Sequence, residues 1–130
     1  MGLGTLIRRL GAGPDIVTGH DFRSYSLSIK LALVCGLMAA GARVRDIGLA
    51  LSPMAYFAQF ALDTPSVAMV TASHNENGWT GVKMGAARPL TFGPEEMSAL
   101  KAIVLEGDFD LAGGGSYDFV RDFRATFSTI

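Results

Sequence analysis

Residues 66–85 read SVAMVTASHNENGWTGVKMG, and the first part of that run decides the fold. Ser66 to Ala72 is apolar and β-branched, with no alternation of polar residues. That is the pattern of a strand buried on both faces, which belongs to a parallel sheet covered by helices. The polar stretch that follows, Ser73 to Gly81, is a loop, and Val82 to Gly85 is a short strand.

Working outward, Pro14 to Thr18 reads as a strand ending at Gly19, and Ala42 to Ile47 alternates like a strand. Leu3 to Leu10 is helical and closed by Gly11. Ser24, Ser26 or Ser28 caps the next helix, which runs to about Ala40 with Leu27, Leu31, Val34 and Met38 as its stripe. Ser52-Pro53 opens a helix that buries Met54, Phe57, Ala58 and Ala61. Gly93-Pro94-Glu95-Glu96 opens another, with Met97, Leu100 and Val104 as its stripe. Gly107 to Ser116 is a Gly- and Asp-rich connector. Phe119, Phe123 and Phe127 then recur at helical spacing. Helices alternating with strands predict an α/β layered sandwich with a largely parallel sheet. Its loops Gly19–Ser24, Gly48–Ser52 and Ser73–Gly81 gather at the carboxyl edge, where ligands collect.

The chain has 130 residues, 49% of them apolar and 18% charged, enough for one packed domain and too hydrophobic for disorder. A net charge of −1 gives nucleic acid nothing to bind. The longest uncharged stretches, Leu31–Ala42 and Ile47–Leu62, fall short of the ~20 apolar residues of a membrane span, and the N-terminus lacks a signal-peptide pattern. Cys35 is the single cysteine. It is expected to be a small buried hydrophobe, and the missing disulfide framework fits a reducing cytoplasm.

Chemistry concentrates in Thr71-Ala-Ser-His-Asn75. Ser73 sits where a strand opens into a loop, His74 follows it, and Lys83 lies ten residues on. A hydroxyl, an imidazole and an ammonium on one edge suit acceptance of a phosphoryl group, with the cation offsetting phosphate charge. A polar loop whose hydroxyl merely satisfies the strand end reads equally well from these residues. A zinc site around His20 and Asp21 has too few ligands to be specific. A serine hydrolase lacks the Gly-x-Ser-x-Gly elbow. Asp21 is expected to orient Arg23 or the loop.

The run TASHNENGWTGVKMG resembles the active-site loop of the α-D-phosphohexomutases, the phosphomannomutase and phosphoglucomutase family. The family pattern is Thr-(Ala/Gly)-Ser-His-Asn-Pro followed by Asn-Gly-(hydrophobic)-Lys. Gly19-His20-Asp21-Phe22-Arg23-Ser24-Tyr25-Ser26 resembles its Gly-x-Asp-x-Arg-x-Ser element. GLMAAGARVRDIGLALSPMAYFA is similar to its helix-Gly-x-x-Val-x-Asp-x-Gly-x-x-x-(Ser/Thr)-Pro segment.

The resemblance implies a three-layer α/β/α sandwich with a mixed, mostly parallel sheet. It implies that residues 1–112 are the first domain of such an enzyme without its opening strand. Residues 113–130 would then be a connector and the start of a helix leading to a second domain. It also implies interconversion of hexose 1-phosphate and hexose 6-phosphate through a phosphoserine and a hexose 1,6-bisphosphate. Ser73 corresponds to that serine, and its phosphate supplies one Mg²⁺ ligand. His74 and Lys83 correspond to residues of proton transfer and phosphate contact, and Arg23 and Asn75 to phosphate-binding residues.

Glu76 stands where the family has proline, and Thr80 where it has asparagine. The Asp-x-Asp-x-Asp run that completes the Mg²⁺ site is absent. The expectations are therefore a piece of a four-domain enzyme that is inactive alone, or a truncated phosphate-binding or interaction domain without catalysis. Apolar surface that should meet the other domains would make the piece self-associate. Arg8 and Arg9 are expected to be solvated helix charges.

Overall fold

The computed structural model describes residues 1–22, 26–50, 52–71, 81–85, 93–111 and 114–120. In chain order the elements are α1 (Gly2–Arg9), β1 (Asp15–His20), α2 (Ser26–Ala39), β2 (Arg43–Leu49), α3 (Ser52–Ala61), β3 (Ser66–Thr71), β4 (Gly81–Gly85), α4 (Pro94–Glu106) and β5 (Ser116–Phe119). The sheet runs β4-β3-β1-β2-β5. β1, β2, β3 and β5 are parallel, and β4 returns antiparallel along β3. The expected mixed, mostly parallel sheet is therefore present.

Every residue of β3 is buried, because side chains alternate to two covered faces. Ile16, Val44 and Ala68 pack with Leu3 and Ile7 of α1 and Val34 and Leu37 of α2. Their neighbours Val17, Ile47, Val67 and Met69 pack with Met54, Ala55 and Ala58 of α3. That makes three layers, with α4 stacked outside. Ile103 is its one buried side chain, and Leu100 reaches the first cluster. Among the described residues no helix is long and apolar enough to cross a membrane.

Several expectations change, among them Ala61 of α3, expected to be buried and in fact exposed. The buried line of α2 is Ser26, Lys30, Val34 and Leu37, whereas Leu27 and Leu31 are exposed. Apolar residues surround this helix, so their spacing carries no phase. Cys35 is consequently exposed, not buried. On α4, Met97 and Val104 are exposed and Ile103 takes the inward position. Finally, the helix expected over 118–127 is not what its first residues form. Ser116–Phe119 is an edge strand, with the Ser116 N–H donating to the Ala42 carbonyl at 3.1 Å and the Val120 N–H to the Asp46 carbonyl at 2.9 Å. β2 would otherwise present an unpaired backbone edge. Residues 121–130 lie outside the described residues.

Arg8 and Arg9 are not merely solvated. An Arg8 guanidinium N–H donates to the Ala40 carbonyl at 3.1 Å. Arg9 pairs with Asp108 and Asp110, both at 3.2 Å. These are exposed pairs of small energetic weight.

Candidate active site at the carboxyl edge

The chain leaves β1 towards β2 and leaves β3 the opposite way, towards β4. Diverging connections open a crevice outside the carboxyl ends of β1 and β3, the usual ligand position in open α/β sheets. The expected phosphoacceptor segment begins there. Thr71 is the last residue of β3, and it pairs across the ladder with Gly81, the first residue of β4. The segment 72–80 therefore leaves from and returns to adjacent points on one edge. Lys83 lies opposite Met69 in the register, exposed on β4. Directly opposed residues share a face, so its ammonium lies on the α3 side. Arg23, Ser73, His74 and Asn75 lie outside the described residues.

At the end of β1 the Asp21 N–H donates to the Val70 carbonyl at 3.0 Å. The Asp21 carboxylate is buried. Its Oδ2 accepts the Thr71 hydroxyl at 3.1 Å, and its Oδ1 accepts the Ser26 hydroxyl. One side chain thus joins the ends of two strands to the first residue of α2. Asp21 and Thr71 belong to the motifs legible in the sequence. Nothing in the sequence showed that they meet, or that Ser26 joins them.

His20 shares this edge. Burial pulls its pKa below the ordinary histidine value, and Lys30 adds to the shift, while Asp46 and Asp21 pull it back. Among the described residues its Nδ1 is buried without a hydrogen-bond partner, so the neutral ring is the comfortable form.

The Lys30–Asp46 pair was missed entirely. Lys30 Nζ lies 2.7 Å from Asp46 Oδ2, and the two side chains are 3% and 0% exposed. The Tyr117 hydroxyl donates to the same oxygen at 2.6 Å, and the Gly48 N–H donates to Oδ1 at 2.8 Å. This is why the sequence carries Asp46-x-Gly48. Gly48 has φ +76, and an added Cβ would lie 3.0 Å from the Phe119 ring, so another residue there meets both strain and a clash.

A cavity of about 390 Å³, lined by Ile7, Arg8, Gly13, Pro14 and Gly41 among others, lies at the opposite, amino end of the sheet. It contains none of the chemistry described here. Among the described residues no group of three or more His, Cys, Asp or Glu is placed to hold a metal.

A sequence profile described as "Phosphoglucomutase/phosphomannomutase, alpha/beta/alpha domain I" matches residues 1–111. The chain belongs to the phosphoglucomutase/phosphomannomutase family. A protein named probable phosphoglucosamine mutase from Pyrococcus abyssi is 35% identical over 112 residues, which is 86% of this chain and 24% of the relative. A phosphomannomutase from Escherichia coli is 49% identical over 69 residues, covering 53% of this chain and 15% of its own length. A crystal structure of a phosphoglucomutase/phosphomannomutase family protein from Burkholderia thailandensis superposes with a TM-score of 0.87 at 30% identity, over 97% of this chain and 28% of that one. The chain thus spans between 15% and 28% of the length of these family members. What it contributes is the first domain of the family fold.

Proposed function

We propose that this domain supplies the phosphoserine of a phosphohexomutase acting on hexose 1- and 6-phosphates. The reading rests on one observation above all. The Thr71-Ala-Ser-His-Asn75 run leaves the end of β3 at the switch point of a sheet that matches the family's first domain. In this reading phosphorylated Ser73 gives its phosphoryl group to a free sugar hydroxyl. The resulting hexose 1,6-bisphosphate turns over, and its other phosphoryl group returns to the Ser73 oxygen. His74 and Lys83 move the hydroxyl proton and offset phosphate charge. Arg23 and Asn75 bind phosphate oxygens. Catalysis of this kind is positioning plus charge neutralisation.

Mg²⁺ would take an oxygen of the Ser73 phosphate, as a hard cation requires. The described residues do not complete its ligand set, so the remaining ligands are assigned to chain beyond this domain and no step here runs through the metal. The 130 residues alone are accordingly proposed not to turn over. In this reading the enzyme works in the cytoplasm. The isolated domain self-associates through exposed Leu27, Leu31 and Phe60, and light scattering tests that.

The deciding experiment incubates the full-length protein with glucose 1,6-bisphosphate and Mg²⁺ and reads Ser73 by mass spectrometry. Ser73 gains one phosphoryl group, and Ser73→Ala abolishes the label. An unlabelled Ser73 in the intact protein sinks the reading and leaves a non-catalytic phosphate-binding domain.

A further inference from the structure

We infer that Asp21 is a positioning residue for the phosphoacceptor, acting through Thr71 and Ser26. The inference rests on the mutase reading above and adds a role at the same site. Its basis is the buried junction at the sheet edge. Asp21, Thr71 and Ser26 are 6%, 8% and 0% exposed.

An ionised carboxylate only accepts hydrogen bonds, so both hydroxyls must donate to it and their rotors are set by its charge. Its main-chain N–H is fixed independently to the Val70 carbonyl at 3.0 Å. Asp21 is therefore held to β3 at two consecutive residues, through the backbone at Val70 and through the side chain at Thr71. Its other oxygen takes the first residue of α2. The end of β3 cannot move against the start of α2 without breaking a charge-assisted bond.

Ser73 follows Thr71 by two chain units, so Thr71 is the nearest described anchor of the reacting hydroxyl. In-line phosphoryl transfer is intolerant of errors in its position, which cost rate without weakening substrate binding. In this scheme Asp21 acts through Thr71 and Ser26, and so sets where the reacting hydroxyl stands.

The test compares wild type, Thr71→Val, Thr71→Ser and Ser26→Ala in the full-length protein. It reads the rate of Ser73 phosphorylation by glucose 1,6-bisphosphate together with kcat and KM. Thr71→Val keeps the shape and β-propensity of threonine and removes only the hydroxyl, and Ser26→Ala cuts the other limb should that variant fold poorly. Each is expected to slow Ser73 labelling and kcat about tenfold with KM within twofold. Thr71→Ser, which restores the hydroxyl, is expected to recover most of the loss. Labelling and turnover at the wild-type rate in Thr71→Val and Ser26→Ala, with thermal stability alone reduced, would overturn the inference and leave the mutase reading standing. Thr71→Ser as slow as Thr71→Val would also overturn it. Wild-type protein that takes no label removes the mutase reading, and the inference with it.

Discussion

Asp21 and Asp46 are buried carboxylates on neighbouring parallel strands, one just past the end of β1 and one within β2. They are satisfied differently. Asp46 takes an ammonium, a phenol and a backbone N–H, and thereby ties α2, β2 and β5 together. Asp21, among the described residues, accepts from the Thr71 and Ser26 hydroxyls, and ties the rims of β1, β3 and α2. The difference teaches where each charge matters. Removing the partner of an ion pair inside the sheet strikes at the fold. Removing a hydroxyl at the rim disturbs a position more than it disturbs the core.

The largest expected effect tests the interior charge. Lys30→Met leaves Asp46 buried without its cation, and should cost about 3–5 kcal/mol in denaturant unfolding. The Ser73 labelling rate of the folded fraction should be unchanged. A loss below about 1 kcal/mol would mean that Tyr117 and Gly48 suffice for Asp46, and the contrast would fail. Next comes Thr71→Val, which should show the reverse profile. A tenfold slower kcat should accompany only about 1 kcal/mol of lost stability.

Tyr117→Phe is smaller, removing one bond to the Asp46 charge at about 1.5 kcal/mol. It carries a pH signature as well. Burial first, and then the bond to Asp46, push the Tyr117 hydroxyl from 10.0 up to about 12. The folded state therefore holds that proton more tightly than the unfolded state does. Its stabilisation is complete below pH 10 and is lost as pH rises towards 12. Urea midpoints across that range should fall for wild type and stay flatter for the variant.

The smallest effect belongs to His20, which feels both carboxylates. Its pKa is lowered from 6.5, so the unfolded chain binds the extra proton first. Stability should decline as pH falls below 6.5, and His20→Gln should remove that slope. An unchanged slope in His20→Gln would assign the acid sensitivity to other groups.

Much of the architecture was legible. Pro14, Ser52-Pro53 and Pro94 marked element starts, Gly11, Gly41 and Gly107 marked ends, and the uninterrupted Val67–Val70 run marked a doubly covered strand. These are local signals, and local backbone chemistry decides them. The orientation of α2 was not local. Leucines on all sides hid the phase, and the choice fell to Lys30, whose reason for turning inward is a carboxylate sixteen residues away on β2. Phe119 misled for a related cause. Its spacing with Phe123 and Phe127 suggested a helix, but the open backbone of β2 outweighed a side-chain pattern. At the candidate site, the described residues place Lys83 on β4 opposite Met69, two residues in from the strand end. Arg23, Ser73, His74 and Asn75 themselves lie outside the described residues. The junction of Asp21 with Thr71 and Ser26 stayed hidden, because a hydroxyl fifty residues from a carboxylate leaves no periodicity to read.

The edge strand has a kinetic meaning. β1 has parallel partners on both sides, whereas among the described residues β5 pairs with β2 only. In deuterium exchange the amides of β1 should therefore open only with global unfolding, while those of β5 exchange through local fraying. Each fraying event lifts the Tyr117 hydroxyl from Asp46 and lets water reach the Lys30–Asp46 pair. The rate at which β5 opens should then set how often the Lys30–Asp46 pair, whose side chains are 3% and 0% exposed, meets solvent.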